Sequence, residues 1–206
     1  MFQLKRQGML IVVSSPSGGG KSTVIREVMK QDPRLEYSVS VTSRSPRPGE
    51  VNGESYHFVT EEDFRAWINR GVFYEWAVVH DNLYGTRRDI VEERLRRGHD
   101  VIMDLDFQGG LNIKKQAPAS VLVFILPPSM TVLEERLRDR KTDSEETIRL
   151  RLHNALEEIR HATQYDYVLI NEELDATIKQ VKGIIAAEHH RAARLTIEMN
   201  NGGDPA

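Results

Sequence analysis

Apolar runs of strand length alternate with segments of helical period along most of the chain. Met9–Val13 is a continuous β-rich apolar run with no polar alternation, the pattern of a strand buried on both faces. Lys21–Gln31 then reads as a helix that stops before Pro33. Val101–Leu105, Val121–Leu126 and Tyr167–Ile170 repeat the buried-strand pattern, and helical segments follow at about 107–115, 130–140 and 175–194. Such βα alternation predicts an α/β fold: a parallel sheet flanked by helices.

Two stretches break the alternation. Between about 37 and 86 the pattern shifts to short alternating segments, "YSVSVT", "YHFV" and "FYEWAVVH". They are interrupted by the Arg/Pro/Gly-rich loop "SRSPRPGEVNGES" and by a short helix that starts at Thr60 and is ended by Gly71. This predicts a β-rich insertion. Residues 133–160 are charged almost throughout, and Asp143 followed by Glu146 resembles a capping box. A helix therefore restarts there after a break near Lys141–Thr142, giving two helices around a hinge. The expected division is one domain: a core of about 1–36, 87–132 and 156–195, the insertion at about 37–86, a lid at about 133–155, and a disordered tail at 196–206.

Composition narrows the function classes. The 206 residues, 39% hydrophobic and 29% charged, suit a single globular domain. A net charge of -3 leaves no electrostatic footprint for nucleic acid, so none is expected as a partner. Cysteine is absent, which excludes disulfides and thiolate metal sites. The opening "MFQLKRQGMLIVV" reads as one strand feeding a glycine loop and not as a signal peptide, and no stretch is long enough to cross a bilayer. A soluble cytoplasmic protein is the expectation.

The chemistry starts at "SSPSGGGKST". Gly20, Lys21 and Ser22 fit the second half of the phosphate-loop motif G-x-x-x-x-G-K-[ST], whereas Ser15 stands where its first glycine belongs. A phosphate loop needs a preceding strand, tight glycine backbone, a lysine, and a helix that starts at once. All four are present. Backbone N–H groups and the positive helix end would surround a β-phosphate, Lys21 would reach β/γ oxygens, and the Ser22 hydroxyl would help hold Mg²⁺. Residues Ser15, Pro16, Ser17, Gly18, Gly19, Gly20, Lys21, Ser22 and Thr23 form the expected ATP-binding segment. Ser15 costs turn freedom only if its position needs a positive φ.

Asp104 and Asp106 alternate at the carboxyl end of a buried strand, where open α/β sheets bind ligands. One of them is expected near magnesium and its water, and the other can simply cap the next helix. "DFQG" also matches the D-x-x-G of GTPases, but the N-K-x-D guanine-reading motif is missing from the chain. Arg44 and Arg47, on a proline-stiffened loop with Tyr56 beyond them, form a forked grip suited to a phosphate dianion. Arg136, Arg140, Arg149 and Arg151 supply charge in the hinge region, where Glu134–Arg138 and Glu145–Arg149 also fit surface i,i+4 pairs. The seven histidines show no metal-ligand spacing and read as structural or surface residues.

Together these segments resemble the guanylate kinases, P-loop kinases of the nucleoside-monophosphate kinase group. The resemblance runs from about Met9 to Arg194. It rests on "SPSGGGKST", "VTSRSPRPGEVNGESYHF", "FYEWAVVHDNLYGT", "DLDFQGG", "FILPPS", "RLRDRKTDSEETIRLRL" and "YDYVLIN", in the family's order and spacing. It implies that ATP and GMP are the substrates and Mg²⁺ the cofactor, that the insertion binds GMP, and that the charged hinge is a lid. By the same resemblance, Arg44, Arg47, Tyr56 and Tyr84 match residues on the GMP phosphate, while Ser40, Glu75 and Thr86 match those that read guanine, with Asp106 on the GMP side. Lys21, Arg44, Arg136, Arg140 and Arg151 match the catalytic cations, Asp104 the magnesium environment, and Asn171 a position near adenine or the lid. A carboxylate at Glu75 suits the N1–H and N2–H₂ donors of guanine and would face a lone pair on adenine. Lys141 departs from the family, which often has glycine after the second lid arginine.

Three other readings compete with this one. Guanylate-kinase-like scaffold modules bind phosphopeptides, but they carry degraded phosphate loops and neighbouring interaction domains. Another monophosphate kinase would differ in its acceptor. A regulatory GTPase would need the N-K-x-D motif. Oligomeric state is not readable from the sequence.

Overall fold

The computed structural model describes residues 2–79, 81–139 and 143–199. In chain order its elements are β1 (Phe2–Arg6), β2 (Leu10–Ser14), α1 (Lys21–Gln31), β3 (Leu35–Tyr37), β4 (Val41–Thr42), β5 (His57–Phe58), α2 (Glu61–Asn69), β6 (Phe73–Val79) and β7 (Asn82–Arg87). The chain continues through α3 (Arg88–Arg96), β8 (Asp100–Asp104), α4 (Phe107–Gln116), β9 (Val121–Leu126), α5 (Met130–Asp139) and α6 (Glu145–Arg160). It ends with β10 (Tyr167–Ile170), α7 (Leu174–His189) and β11 (Leu195–Met199).

The core is a five-stranded sheet ordered β10-β9-β2-β8-β3, with every adjacent pair parallel. Alternation along β2 explains why its apolar run is unbroken. Met9, Ile11 and Val13 pack toward α1 and α7, while Leu10 and Val12 pack toward α3 and α4. Both faces are covered, as a central parallel strand requires. The segment after β2 leaves the carboxyl end of the sheet at the point where strand order reverses, the usual ligand crevice of this architecture.

The insertion forms its own sheet, ordered β5-β4-β7-β6. Thr60 caps α2 by accepting from the Asp63 N–H, and Phe64 on that helix stacks on Phe73 with ring centroids 4.4 Å apart. Val41, Phe64, Phe73 and Leu83 make a small core separate from the two main ones. The β6–β7 register slips between Phe73 and Glu75, so both Phe73 and Tyr74 are buried. This bulge re-aims Glu75 away from strict alternation.

Several expectations need correction. The chain start is two strands, not one, because β1 leaves the core and pairs antiparallel with β11. Residues 196–199 therefore belong to a strand and not to a tail; Asn200–Ala206 lie outside the described residues. The last helix ends at His189, and a separate helical turn occupies Ala192–Arg194. Tyr37 belongs to the core sheet, not to the insertion. Strand β10 is a sheet edge with Val168 and Ile170 about half exposed, so it is not covered on both faces. The restarting helix is capped by Ser144, which accepts from the Thr147 N–H, while Asp143 pairs instead with Arg151. The boundary expected at 155/156 falls inside continuous α6. Strand β7 and helix α3 had no counterpart in the sequence reading.

Candidate active site

The phosphate loop is built by backbone conformation. Gly18 and Gly20 hold φ of 92° and 91°, a region that L side chains rarely adopt. A Cβ on Gly18 would lie 2.9 Å from Leu133 of α5, and one on Gly20 would strike the Asn171 amide. Ser15 is not among the positive-φ residues; among the described non-glycine residues that conformation occurs only at Asp81. The serine therefore does not strain the entry to the loop, and its hydroxyl lies 3.1 Å from the Pro16 carbonyl. Helix α1 is preceded by Gly20 as its N-cap, without a side-chain hydrogen bond, and has no acidic residue in its first turn, so no carboxylate of its own first turn competes for those N–H groups.

Lys21 and Ser22 reach across to the end of β8. Lys21 Nζ lies 2.5 Å from Asp104 Oδ1 and donates to the Leu105 carbonyl at 3.0 Å. Ser22 Oγ donates to Asp104 Oδ2 at 3.1 Å. Asp104 is thus the aspartate of the loop, and Asp106 is the one that caps: its Oδ1 accepts the Gly109 N–H at 2.7 Å at the start of α4. That bond accounts for the D-x-x-G spacing without a GTPase switch. Asp106 still borders the same crevice as Asp104.

That crevice joins the core to the insertion. Ser40, Tyr56, Glu75, Tyr84, Asp104 and Asp106 line it together. Thr86 is buried and donates to Glu75 Oε1 at 2.8 Å. Burial pushes the Glu75 carboxyl up from 4.5 to about 7; the Thr86 hydroxyl opposes this and the charge of Asp106 adds to it. Arg44 enters from the loop and donates from Nε to the Tyr84 hydroxyl at 3.3 Å. Its Nη2 sits 2.7 Å from Glu50 Oε1, and its guanidinium lies 5.5 Å from the Tyr56 ring centroid. The Arg44 partner holds Glu50 below the usual carboxylate range, and the Arg47 backbone N–H, 2.7 Å from Oε2, assists.

Not every expected residue converges. Arg47 is exposed on its loop, and only its backbone N–H takes part in the Glu50 contact. Arg151 on α6 pairs at 3.1 Å with Asp143, which precedes that helix. Arg140 lies outside the described residues, as do Lys141 and the hinge expected there. Pro16 is buried, Ser17 is exposed at the loop tip, and Thr23 is half-buried on α1. Arg136 donates from Nη2 to the Asn171 carbonyl at 3.2 Å. Its Nη1 is buried without a partner, 3.9 Å from where a Cβ on Gly20 would sit. A buried, unpaired guanidinium nitrogen beside an anion-binding loop fits a phosphate oxygen.

Two contacts emerge only in three dimensions. Glu50 pairs with Arg44 across the loop, a contact with no mark in the sequence. Asn171 is buried and clamps the loop: its amide donates to the Gly19 carbonyl at 3.0 Å, and its oxygen accepts from Thr177 at 3.1 Å. Among the described residues no group of three or more His, Asp or Glu could hold a metal by itself. Ser22 and Asp104 nevertheless offer a hydroxyl and a carboxylate, the hard oxygen donors that suit magnesium when substrate phosphates complete the shell. Among the described residues no helix is long and apolar enough to cross a membrane.

The family model for guanylate kinase matches residues 7–188. The chain is 49% identical to the guanylate kinase of Zymomonas mobilis over 94% of its length and 90% of that protein. It is 46% identical to that of Rickettsia felis over 92% and 98% respectively. A crystal structure of guanylate kinase from Anaplasma phagocytophilum superposes with a TM-score of 0.75 at 34% identity, covering 94% of this chain and 92% of that one. With this loop, this insertion and these matches over nearly its whole length, the chain belongs to the guanylate kinase family.

Proposed function

We propose that this chain transfers the γ-phosphoryl group of ATP to GMP, giving ADP and GDP. The observation that carries this reading is the placement of two sites on either side of the Asp104–Asp106 strand end. One is a glycine loop with Lys21 and Ser22; the other is a crevice with an acid, Glu75, set beside Thr86.

The nucleophile is a phosphate oxygen of GMP, largely dianionic at neutral pH because its second pKa is about 6. No side-chain base is needed, and catalysis reduces to alignment and charge neutralisation. Lys21 exchanges Asp104 for β/γ oxygens of the donor, while the loop N–H groups hold the β-phosphate. Arg136 offers its free Nη1 to the transferring group, and Arg140 and Arg151 approach on lid closure. Ser22 and Asp104 would hold Mg²⁺, which when bound would neutralise phosphate charge during the transfer. On the acceptor side, Arg44, Tyr56 and Tyr84 hold the GMP phosphate, with Arg47 swinging inward from its exposed position. Glu75 accepts from guanine N1–H and N2–H₂, while Ser40, Thr86 and Asp106 complete the base site.

Turnover measured by coupled ADP release with GMP, AMP, UMP and dTMP tests this. Turnover with GMP far above the rest is expected. Equal turnover with AMP, or none with GMP, would refute the assignment.

A further inference from the structure

We propose that Gln116 is a positioning residue for base recognition: by holding the Tyr74 carbonyl it fixes the β6 bulge, and with it the Glu75 carboxylate that selects guanine. The role rests on Glu75 being the acid that meets guanine, as proposed above. Gln116 is the last residue of α4, and its side-chain amide donates to the Tyr74 carbonyl. Its oxygen accepts from Nη2 of Arg88, the first residue of α3. Tyr74 and Glu75 are consecutive, so this clamp acts one residue from the acid.

The bulge explains why a side chain is needed there. Phe73 pairs with Arg87 and Glu75 with Thr86, but Tyr74 has no partner in that register. A bulged residue forgoes its ladder bonds, and its buried carbonyl is costly to leave without a donor. Gln116 supplies that donor. Released from it, the strand can slide toward regular pairing, and a slip of one residue turns a side chain to the opposite face.

The core also grips the Tyr74 side chain. It is buried with Leu10, Val12 and Val91 in the main core, whereas its neighbour Phe73 packs with Val41, Phe64 and Leu83 in the insertion. Its hydroxyl donates to Glu92 at 3.2 Å, and the Arg88 guanidinium lies 4.5 Å from its ring centroid. Strand β6 thus passes from one core to the other between Phe73 and Tyr74, and Glu75 takes its position from the main core. Helix α4 serves both acids of the crevice: Asp106 caps its start, and Gln116 at its end holds the strand that carries Glu75. Packing alone does not fix the acid. A second cavity of about 300 Å³, lined by Tyr74 and Gln116, shares Glu75, Trp76 and Asn112 with the crevice, so open volume adjoins Glu75 in both. The backbone beside it has to be held instead.

Comparing GMP with IMP as acceptor tests the proposal, because hypoxanthine keeps the N1–H of guanine and lacks its N2 amino group. Coupled ADP release gives kcat/KM for both in the parent, Gln116→Leu, Gln116→Glu and Gln116→Lys. Leucine removes both bonds, glutamate keeps the Arg88 partner and removes only the donor, and lysine restores a donor. The parent should prefer GMP. In Gln116→Leu and Gln116→Glu that preference should fall about tenfold as KM for GMP rises, with kcat and KM for ATP within about twofold of the parent. In Gln116→Lys it should return to within about threefold of the parent value. A tie that is merely structural would lower Tm and kcat for both acceptors and leave their ratio unchanged, and that result overturns the proposal. So does a parent-like preference in Gln116→Glu, or a loss in Gln116→Lys as large as in Gln116→Leu. Should Gln116→Leu fail to fold, the near-isosteric Gln116→Glu decides. Glu75→Gln separates this role from the assignment beneath it. If the preference collapses there but survives in Gln116→Glu, only the role of Gln116 falls; if the parent shows no preference, both fall.

Discussion

In the proposed reaction, the donor and acceptor sides of the crevice are built on different principles. The donor loop is local: residues 15–23 supply nearly all of it, its conformation rests on Gly18 and Gly20, and one strand end provides its counter-charge. The acceptor side is assembled from residues between 40 and 106 on separate strands and loops; Arg44 is paired with Glu50, and Glu75 takes a hydrogen bond from Thr86. A triphosphate is gripped by generic backbone donors, so a local motif suffices. Discriminating one base from another needs a buried acid, and a buried acid costs stability.

The largest expected effect is on the donor side. Lys21→Ala should lower kcat by about a thousandfold, the scale of losing a preorganised cation, while circular dichroism and the melting curve stay near those of the parent. Turnover near the parent value would remove the loop from the chemistry.

Glu75→Gln should act in two directions at once. The amide cannot accept both guanine donors, so kcat/KM for GMP should fall about a hundredfold in the acceptor assay. Stability should rise instead. A carboxyl raised from 4.5 to about 7 contributes fully to folding only below pH 4.5 and loses that contribution as pH climbs through about 7. At pH 8 the ionised side chain therefore costs about 3 kcal/mol, and Glu75→Gln should raise Tm by roughly 6–12 °C. In the parent, kcat/KM for GMP should also fall as pH drops below about 7, because the free site takes up a proton. In the variant that break should vanish, leaving only the one from the GMP phosphate near 6. An unshifted melting temperature at pH 8 would contradict the cost assigned to this acid.

Smaller effects refine the contrast. Arg44→Lys keeps the charge but loses the fork that spans Glu50 and Tyr84, and it should raise KM for GMP about tenfold with little change in KM for ATP. An equal change in both constants would mean that the two sides are not separable. Ser15→Gly should change either constant by less than about twofold, since the position does not use the glycine region.

Much of this was legible along the chain. Lys21–Gln31 and Val121–Leu126 have the bounds their patterns predict, because a buried parallel strand and a helix beginning at a glycine loop are local signatures. Strand β7 was not legible because one of its inward residues is Gly85, whose missing side chain makes room for Phe73 and Phe64 and leaves no hydrophobic mark. Helix α3 begins after Arg87 with no side-chain cap to announce it. The Asp104–Asp106 ambiguity was real in the sequence, and only the reach of Lys21 and Ser22 across the sheet separated the two.

By itself the sequence determined the alternating α/β core and the glycine loop, since each follows from periodicity or from spacing within a few residues, while the crevice residues were named only through the family resemblance. Tertiary structure alone decided the rest. It set Glu50 against Arg44, used a bulge to aim Glu75, clamped the loop with Asn171, and paired the two ends of the described chain into one ribbon. Those outcomes depend on contacts between distant segments and on backbone register, and neither leaves a periodic trace in the order of residues.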